Sequence, residues 1–484
     1  MPSRQDQLHS YQYSLQRVVA ALVTHDPDPS RSPLRRAGSM ALISLLVALI
    51  AVGGTAAYGA ITGRRPVQTK DESAVFIEKE SGAQFVYLKR DDRLHPVLNL
   101  SSGLLIVGSA QARTVTVART ALAKVQLGDP MGIPGAPDSL PRAADLIKQS
   151  WTICSLPDDS GRSGVEPQSL LVIGAEITDG TTVEGAAPGT AGEALLVTDP
   201  DDRTYLVYGN RRFLIPAGRV RSAKTALGWN DRTPQPVAAA WINAVPAGPN
   251  LEPPAIADLG EASAIADARV GQLFKAASPS QAGTFQWAVA LTDGAAAITE
   301  VQANLLLADQ RTAGPVGEPV TLTASQFSGL EPSDTRLSTS DSAAGLPATA
   351  PALVTATRRL CLTGPDAKRP GVQVWIDPTM PPGVPVDAPS PVSGRILIDR
   401  VHVPRARGAV VEAAASPTAP AGSGTISVVT DTGTRYPLAN RTVLEALGYS
   451  GVTPVRVPAE MVALLPEGPS LDPVRARRSR AADD

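Results

Sequence analysis

The sequence predicts an α+β fold: an N-terminal amphipathic helix, one transmembrane helix, and a propeller-like ectodomain of four degenerate α/β repeats around a central β-rich domain. Three observations predict it. Apolar residues recur at helical spacing in the first 25 positions. Residues 37–63 then carry no charge at all. Beyond them, one order of hairpin, helix, short strand and Pro/Gly turn returns several times.

The leader, residues 1–36, places Leu8, Tyr11, Leu15, Val18 and Leu22 three and four apart, on one face of a helix. Ser3 followed by Asp6 supplies an N-terminal cap, and Asp26-Pro27 ends the run. A lone amphipathic helix cannot bury its own stripe. It lies on the bilayer or docks on a partner. Its modest positive charge makes a cytoplasmic protein partner at least as good a fit as lipid.

Residues 37–63 read as a transmembrane helix. The core, Met40 to Ile61, gives about 33 Å of helix at ~1.5 Å per residue, enough for the hydrocarbon layer. A 36-residue polar leader precedes it, and the run exceeds a signal-peptide core. Basic residues tie across the two flanks. Arg35-Arg36 beside the span leans toward a cytoplasmic N-terminus.

A juxtamembrane stretch, 64–83, leads into the repeats. Repeat 1 (84–141) and repeat 4 (424–473) match best. HPVLN, LSSGLLIVG, TVTV and GDP in the first answer YPLAN, RTVLEALGY, PVRV and PEGP in the last. His95 thus stands where Tyr436 stands, which favours packing over catalysis. Repeat 2 (196–256) and the weaker repeat 3 (280–332) follow the same order. Gly209-Asn210 and Asp293-Gly294 supply hairpin turns, and Gly228 and Gly448 fall where helices need a left-handed cap. SWTICSLP and TRRLCLTGP read as strands of one central domain built from 142–195 and 352–402. Segments 179–193, 332–351, 377–394 and 404–424 have linker composition, and 474–484 is a charged tail expected to be disordered.

Composition excludes several functions. Aromatic residues make up 4% of the chain, so its cores are aliphatic, and net charge is -2 with no basic run, which leaves nucleic acid no electrostatic footprint. Gly-Lys occurs nowhere, so a phosphate loop is absent, and no GxSxG or HExxH motif exists. Asp91-Asp92 and Asp201-Asp202 sit in expected turns, where solvation explains them. No catalytic, cofactor or metal site is expected. The two cysteines, Cys154 and Cys361, fit no metal spacing. Inert core thiols and one long-range disulfide both remain open on spacing alone.

SRQDQLHSYQYSLQRVVAALVTHDP, FIEKESGAQFVYLKRDDRLHPVLNLSSGLLIVG, GDPMGIPGAPDSLP, SWTICSLP and VLEALGYSGVTPVRVPAEMVALLPEGPSLDP together resemble the EccB family. That family is a membrane core component of the bacterial type VII (ESX) secretion system, and the resemblance covers nearly the whole chain. It departs at Gln12 and Val18, where basic residues are usual. The resemblance implies a cytoplasmic N-terminus in the cell membrane, four repeats about a central domain crossed by a disulfide, and assembly with the EccC ATPase, EccD and EccE. A mycosin protease is expected nearby, and further copies of the chain within the complex. On this reading Cys154 and Cys361 lie on the oxidising side and form one bond. Some family members carry an ATPase label, for which the sequence offers no mechanism. A motif-less nucleotide hydrolase and a cell-wall-binding ectodomain are the alternatives.

Overall fold

A computed structural model describes residues 3–25, 33–61, 68–149, 151–157, 166–183, 191–279, 283–312, 314, 317–335, 337, 345–354, 359–365, 371–386, 396–416 and 418–478. Side chains at 24, 33–37 and 59–61 lie outside that description. The expected stop at Asp26-Pro27 and the last residues of the tail, 479–484, also fall outside it. Two units emerge: residues 1–71 with 117–125, and residues 72–116 with 126–484.

The first unit holds two long helices and the short helix Arg119–Leu122. Arg4–Thr24 begins on a capping box, in which Ser3 and Asp6 satisfy each other's backbone amides. It ends at His25 in the left-handed region. Pro33–Ile61 contains a 21-residue stretch, Gly38–Tyr58, long and apolar enough to cross a membrane.

The second unit is β-rich. One strand order recurs in four sheets: a three-stranded antiparallel meander, then a fourth strand beside the first. The meanders are Ala74–Glu78, Gln84–Leu88 and Arg93–Val97 in module 1; Glu193–Thr198, Thr204–Tyr208 and Arg211–Ile215 in module 2; Leu273–Ala277, Phe285–Leu291 and Gly294–Ile298 in module 3; and Ala409–Ala414, Ile426–Val429 and Arg435–Pro437 in module 4. A helix follows each meander, and in modules 2 to 4 the fourth strand runs parallel to the first. No sheet closes on itself among the described residues.

The first strands revise the boundaries read from sequence. Ala74–Glu78 lies in the expected juxtamembrane stretch, and Ala409–Ala414 in the expected linker 404–424. Both are buried on both faces over most of their length, so neither shows polar/apolar alternation. The tail is also shorter than expected. Asp472 caps a final turn, Pro473–Ala476, and the Arg477 guanidinium donates to the carbonyl of Ile106 at 2.9 Å.

Local chemistry explains each turn. Asp92, Asp202 and Asn210 adopt φ near +60°, and these residue types tolerate it in hairpins. Asn99 caps the helix Leu100–Val107 by accepting from the Ser102 amide, and Gly108 ends it with φ +65°. Thr299 and Gln302 form a capping box on Glu300–Ala308.

A seven-stranded central sheet is drawn from two distant stretches. Its middle strands are Gln168–Val172, Thr152–Leu156, Leu360–Thr363 and Gln373–Ile376, in that spatial order. Cys154 opposes Cys361 in register and is bonded to it, with both residues fully buried. The two hairpins meet antiparallel at this pair, with Leu360 opposite Ser155 and Leu362 opposite Ile153 on either side of it. Modules 1 and 4 share one core, containing Val75, Leu105, Val428 and Tyr449. Modules 2 and 3 share another, containing Leu206, Phe213, Val301 and Leu305. The second helices of modules 2 and 4, Ala239–Ala244 and Ala459–Ala463, contribute Trp241 and Met461 to the core of the central sheet.

Each module ends by laying a segment parallel to its third strand, as in the bridges Leu94 to Leu127, Arg212 to Ala247, Ala295 to Pro332 and Arg435 to Glu467. One position further on, a ring covers a glycine. Any Cβ on Gly128, Gly248 or Gly468 would collide with His95, Phe213 or Tyr436 respectively. Module 3 has Ala296 and Ser333 at the two corresponding positions, and there Ser333 donates to Asp293, at 2.5 Å. Gly248→Ala is therefore expected to cost about 1–3 kcal/mol in thermal unfolding, because a packed ring has to move. Gly218→Ala, with nothing near its Cβ, is expected to stay within about 0.5 kcal/mol of wild type.

Candidate interaction surfaces

The leader residues singled out from sequence all lie on one helix, and all are exposed: Leu8, Tyr11, Leu15, Val18 and Leu22 show 52–74% of their surface. Stripes of this size on soluble helices are ordinarily covered. The membrane-length helix follows at once in the chain, with its apolar side chains exposed as well.

Among the described residues, the polar groups of the β-rich unit considered next are committed to partners. His95, 5% exposed, contacts the Asp129 carbonyl through Nδ1 and the Asp91 carboxylate through Nε2, each at 2.9 Å. Burial works against the charge of Asp91, but the hydrogen bond and charge of His95 outweigh it and hold Asp91 below the usual carboxylate range. The Tyr87 phenol donates to Asp92 at 2.6 Å and is pushed up to about 12 by that bond. Among the described residues no three His, Cys, Asp or Glu side chains are grouped to hold a metal. A recess of about 250 Å³ lies among Pro141, Arg142, Asp145, Arg407 and Asp431. Its acids are engaged: Asp145 accepts from Arg142 Nε at 2.7 Å and Asp431 from the Ala406 amide at 2.8 Å.

Charged and polar groups also fasten modules to each other. Arg219 of module 2 pairs with Glu252 and, at 2.9 Å through Nε, with Asp309 after the module 3 helix. Tyr449 of module 4 donates to the Pro141 carbonyl at 2.8 Å, the end of the segment leaving module 1. Burial raises the Tyr449 phenol well above its ordinary value, so this donor stays protonated through the physiological range. Tyr449→Phe is expected to lower stability by about 1–2 kcal/mol in urea unfolding, with no new pH dependence below about pH 9.

Sequence reading missed the ring-over-glycine contacts. Their signal was present, since a ring on the third strand recurs 32 to 35 positions before a glycine at 95/128, 213/248 and 436/468.

Residues 1–482 match the family model described as "Type VII secretion system ESX-1, transport TM domain B". The chain is 28% identical over 492 aligned positions to the ESX-3 secretion system ATPase EccB3 of Mycobacterium tuberculosis, covering 96% of this chain and 87% of that one. It is 30% identical over 260 positions to the protein of the same name from Mycolicibacterium smegmatis, covering 53% and 47%. Among solved structures it resembles a chain of an intact ESX-5 inner membrane complex, with TM-score 0.68, 23% identity, and coverage of 99% and 96%. It also resembles an EccB3 dimer from an ESX-3 core complex, with TM-score 0.63, 26% identity, and coverage of 83% and 99%.

Proposed function

Because the chain belongs to the EccB family of type VII secretion membrane components, we infer that it anchors in the cell membrane with its leader in the cytoplasm and its β-rich unit outside. It is a structural component of the ESX translocation complex. The match from residue 1 to 482 carries this reading, since it takes in leader, span and ectodomain together. The four modules act as degenerate repeats about the central domain, a reading supported by their common strand order. Shared cores favour two pairs of modules over a propeller-like ring. The leader stripe docks on a cytoplasmic partner subunit, and the partners are the EccC ATPase, EccD and EccE, with a mycosin protease nearby. Copies of the chain associate around the export path, held in one plane by their anchors. The EccB3 chain solved as a dimer supports that association.

The ectodomain works as surface rather than as a catalyst. The relatives' names include "ATPase", but this sequence has no Gly-Lys phosphate loop. Affinity purification of the intact chain from gently solubilised membranes should recover a translocation ATPase and other membrane subunits. The ectodomain in that material should add no nucleotide turnover beyond that of a variant complex lacking EccC activity. Recovery of the chain alone, or bound only to peptidoglycan, would overturn the structural reading in favour of a cell-wall-binding ectodomain.

A further inference from the structure

One sheet edge departs from the rest. The fourth strand of each module ends its sheet: Arg113–Val117 in module 1, Gln235–Pro236 in module 2, Val320–Thr321 in module 3 and Val455–Pro458 in module 4. An edge strand turns alternate N–H and C=O groups outward, and a proline at an outward position removes the donor that another strand would use. A short helix follows each of these strands, with Ala118, Ala238, Thr323 and Pro458 at its N-cap. Four residues before that cap stand Pro234, Pro319 and Pro454 in modules 2 to 4, but Thr114 in module 1. Inward bonds fix which way these residues turn. The Val237 amide bonds to the Thr198 carbonyl and the Leu322 amide to the Lys275 carbonyl, so Pro234, Pro236 and Pro319 face out. In module 1 the Arg113 amide bonds to the Ser73 carbonyl, so Thr114 and Thr116 face out. Both threonines are exposed, Val115 between them is half-buried, and no proline occurs from 97 to 129. Neither threonine enters a hydrogen bond beyond the sheet among the described residues.

We propose that this edge joins two copies of the chain, the strand Arg113–Val117 of each running antiparallel to that of the other about Val115. The strand is complementary to itself. Centred on Val115, Thr114 of one copy opposes Thr116 of the other, and outward-facing residues placed opposite each other exchange both backbone hydrogen bonds. Two such pairs make four bonds. The side chains then meet as Thr–Thr pairs, which suit neighbouring strands, and no charge is set opposite a like charge. One patch serves both copies, as a two-fold contact requires. Module 1 follows the membrane-length helix after about a dozen residues, so its edge is the one the anchors confine most closely in a shared plane. This pairing rests on the association of copies inferred above and names the surface that carries it. The prolines of the other modules deny the same pairing elsewhere.

The test uses the intact chain, co-expressed with two different tags and captured from gently solubilised membranes through one of them. Thr114→Pro copies the other three modules and removes two of the four donors, so co-capture of the second tag should fall roughly tenfold. Thr114→Lys/Thr116→Lys in both copies sets lysine against lysine and should lower it likewise. Pairing that lysine variant with a Thr114→Glu/Thr116→Glu copy should restore capture, which a merely misfolded module would not do. In membranes, Val115→Cys should form a disulfide-linked dimer, because opposed residues at this place in an antiparallel pair lie about 4.5 Å apart. Wild-type copies that fail to capture each other would overturn the association itself. Wild-type capture with no Val115→Cys dimer and no loss in the lysine variant would overturn this edge alone. Loss of a different subunit from the lysine variant, with self-capture intact, would overturn it too and give the edge to a strand of that subunit.

Discussion

Replacing Cys154 and Cys361 together by alanine is expected to lower the unfolding free energy of the β-rich unit by up to about 5 kcal/mol, read as an earlier urea midpoint. The bond closes a loop spanning 207 positions, and longer loops confine the unfolded chain more. The two side chains are also fully buried among Leu170, Val172 and Trp375, so the sulfurs leave unfilled volume behind. A single Cys154→Ala variant should lose nearly as much as the pair, since either change opens the loop. Thiol labelling of non-reduced, denatured protein taken from membranes should find no free sulfhydryl. A midpoint unchanged in the double variant would mean that strand pairing alone holds the central sheet.

Leu15→Asp is expected to weaken assembly by more than about a hundredfold while leaving membrane insertion intact. The residue sits mid-stripe and exposed, so the isolated helix tolerates a carboxylate there. Buried against a partner, the same charge would cost about 3–5 kcal/mol for want of a counter-ion. Leu22→Asp, at the membrane-side end of the stripe, should act in the same direction with a smaller loss. The measurement is co-purification of the other subunits with the tagged chain, normalised to chain recovered from membranes. Undiminished recovery would point the stripe at lipid instead.

What the sequence disclosed and what it hid divide along physical lines. The membrane-length helix and the leader stripe are local patterns, carried by composition and by spacings of three and four. Turn chemistry is local too, and Gly209-Asn210 and Gly228 sit where the backbone turns left-handed. The strand Ala409–Ala414 was hidden because burial on both faces removes the period of two. The cross-module contacts were hidden because they depend on distance in space. Tyr449 and Pro141 lie 308 positions apart, and no pattern along the chain announces that they touch. His95 was legible as a packing residue by its correspondence with Tyr436, yet its contact with the Asp129 carbonyl becomes visible only when that segment is folded back beside it.

The Cys154–Cys361 bond also joins two halves of the chain that share one order of elements. Each side of it carries the same series: a module, a cysteine-bearing hairpin, and a second module. Half of the chain, taken alone, would leave the inner edge of its hairpin bare and one cysteine unmatched. Two such halves would complete each other as a symmetric pair of separate molecules, tied by a bond between chains. Duplication and fusion of that ancestor would turn the bond into an internal one and free the two halves to diverge. The histidine of module 1 and the ringless place in module 3, each in the first module of its half, would then mark that divergence.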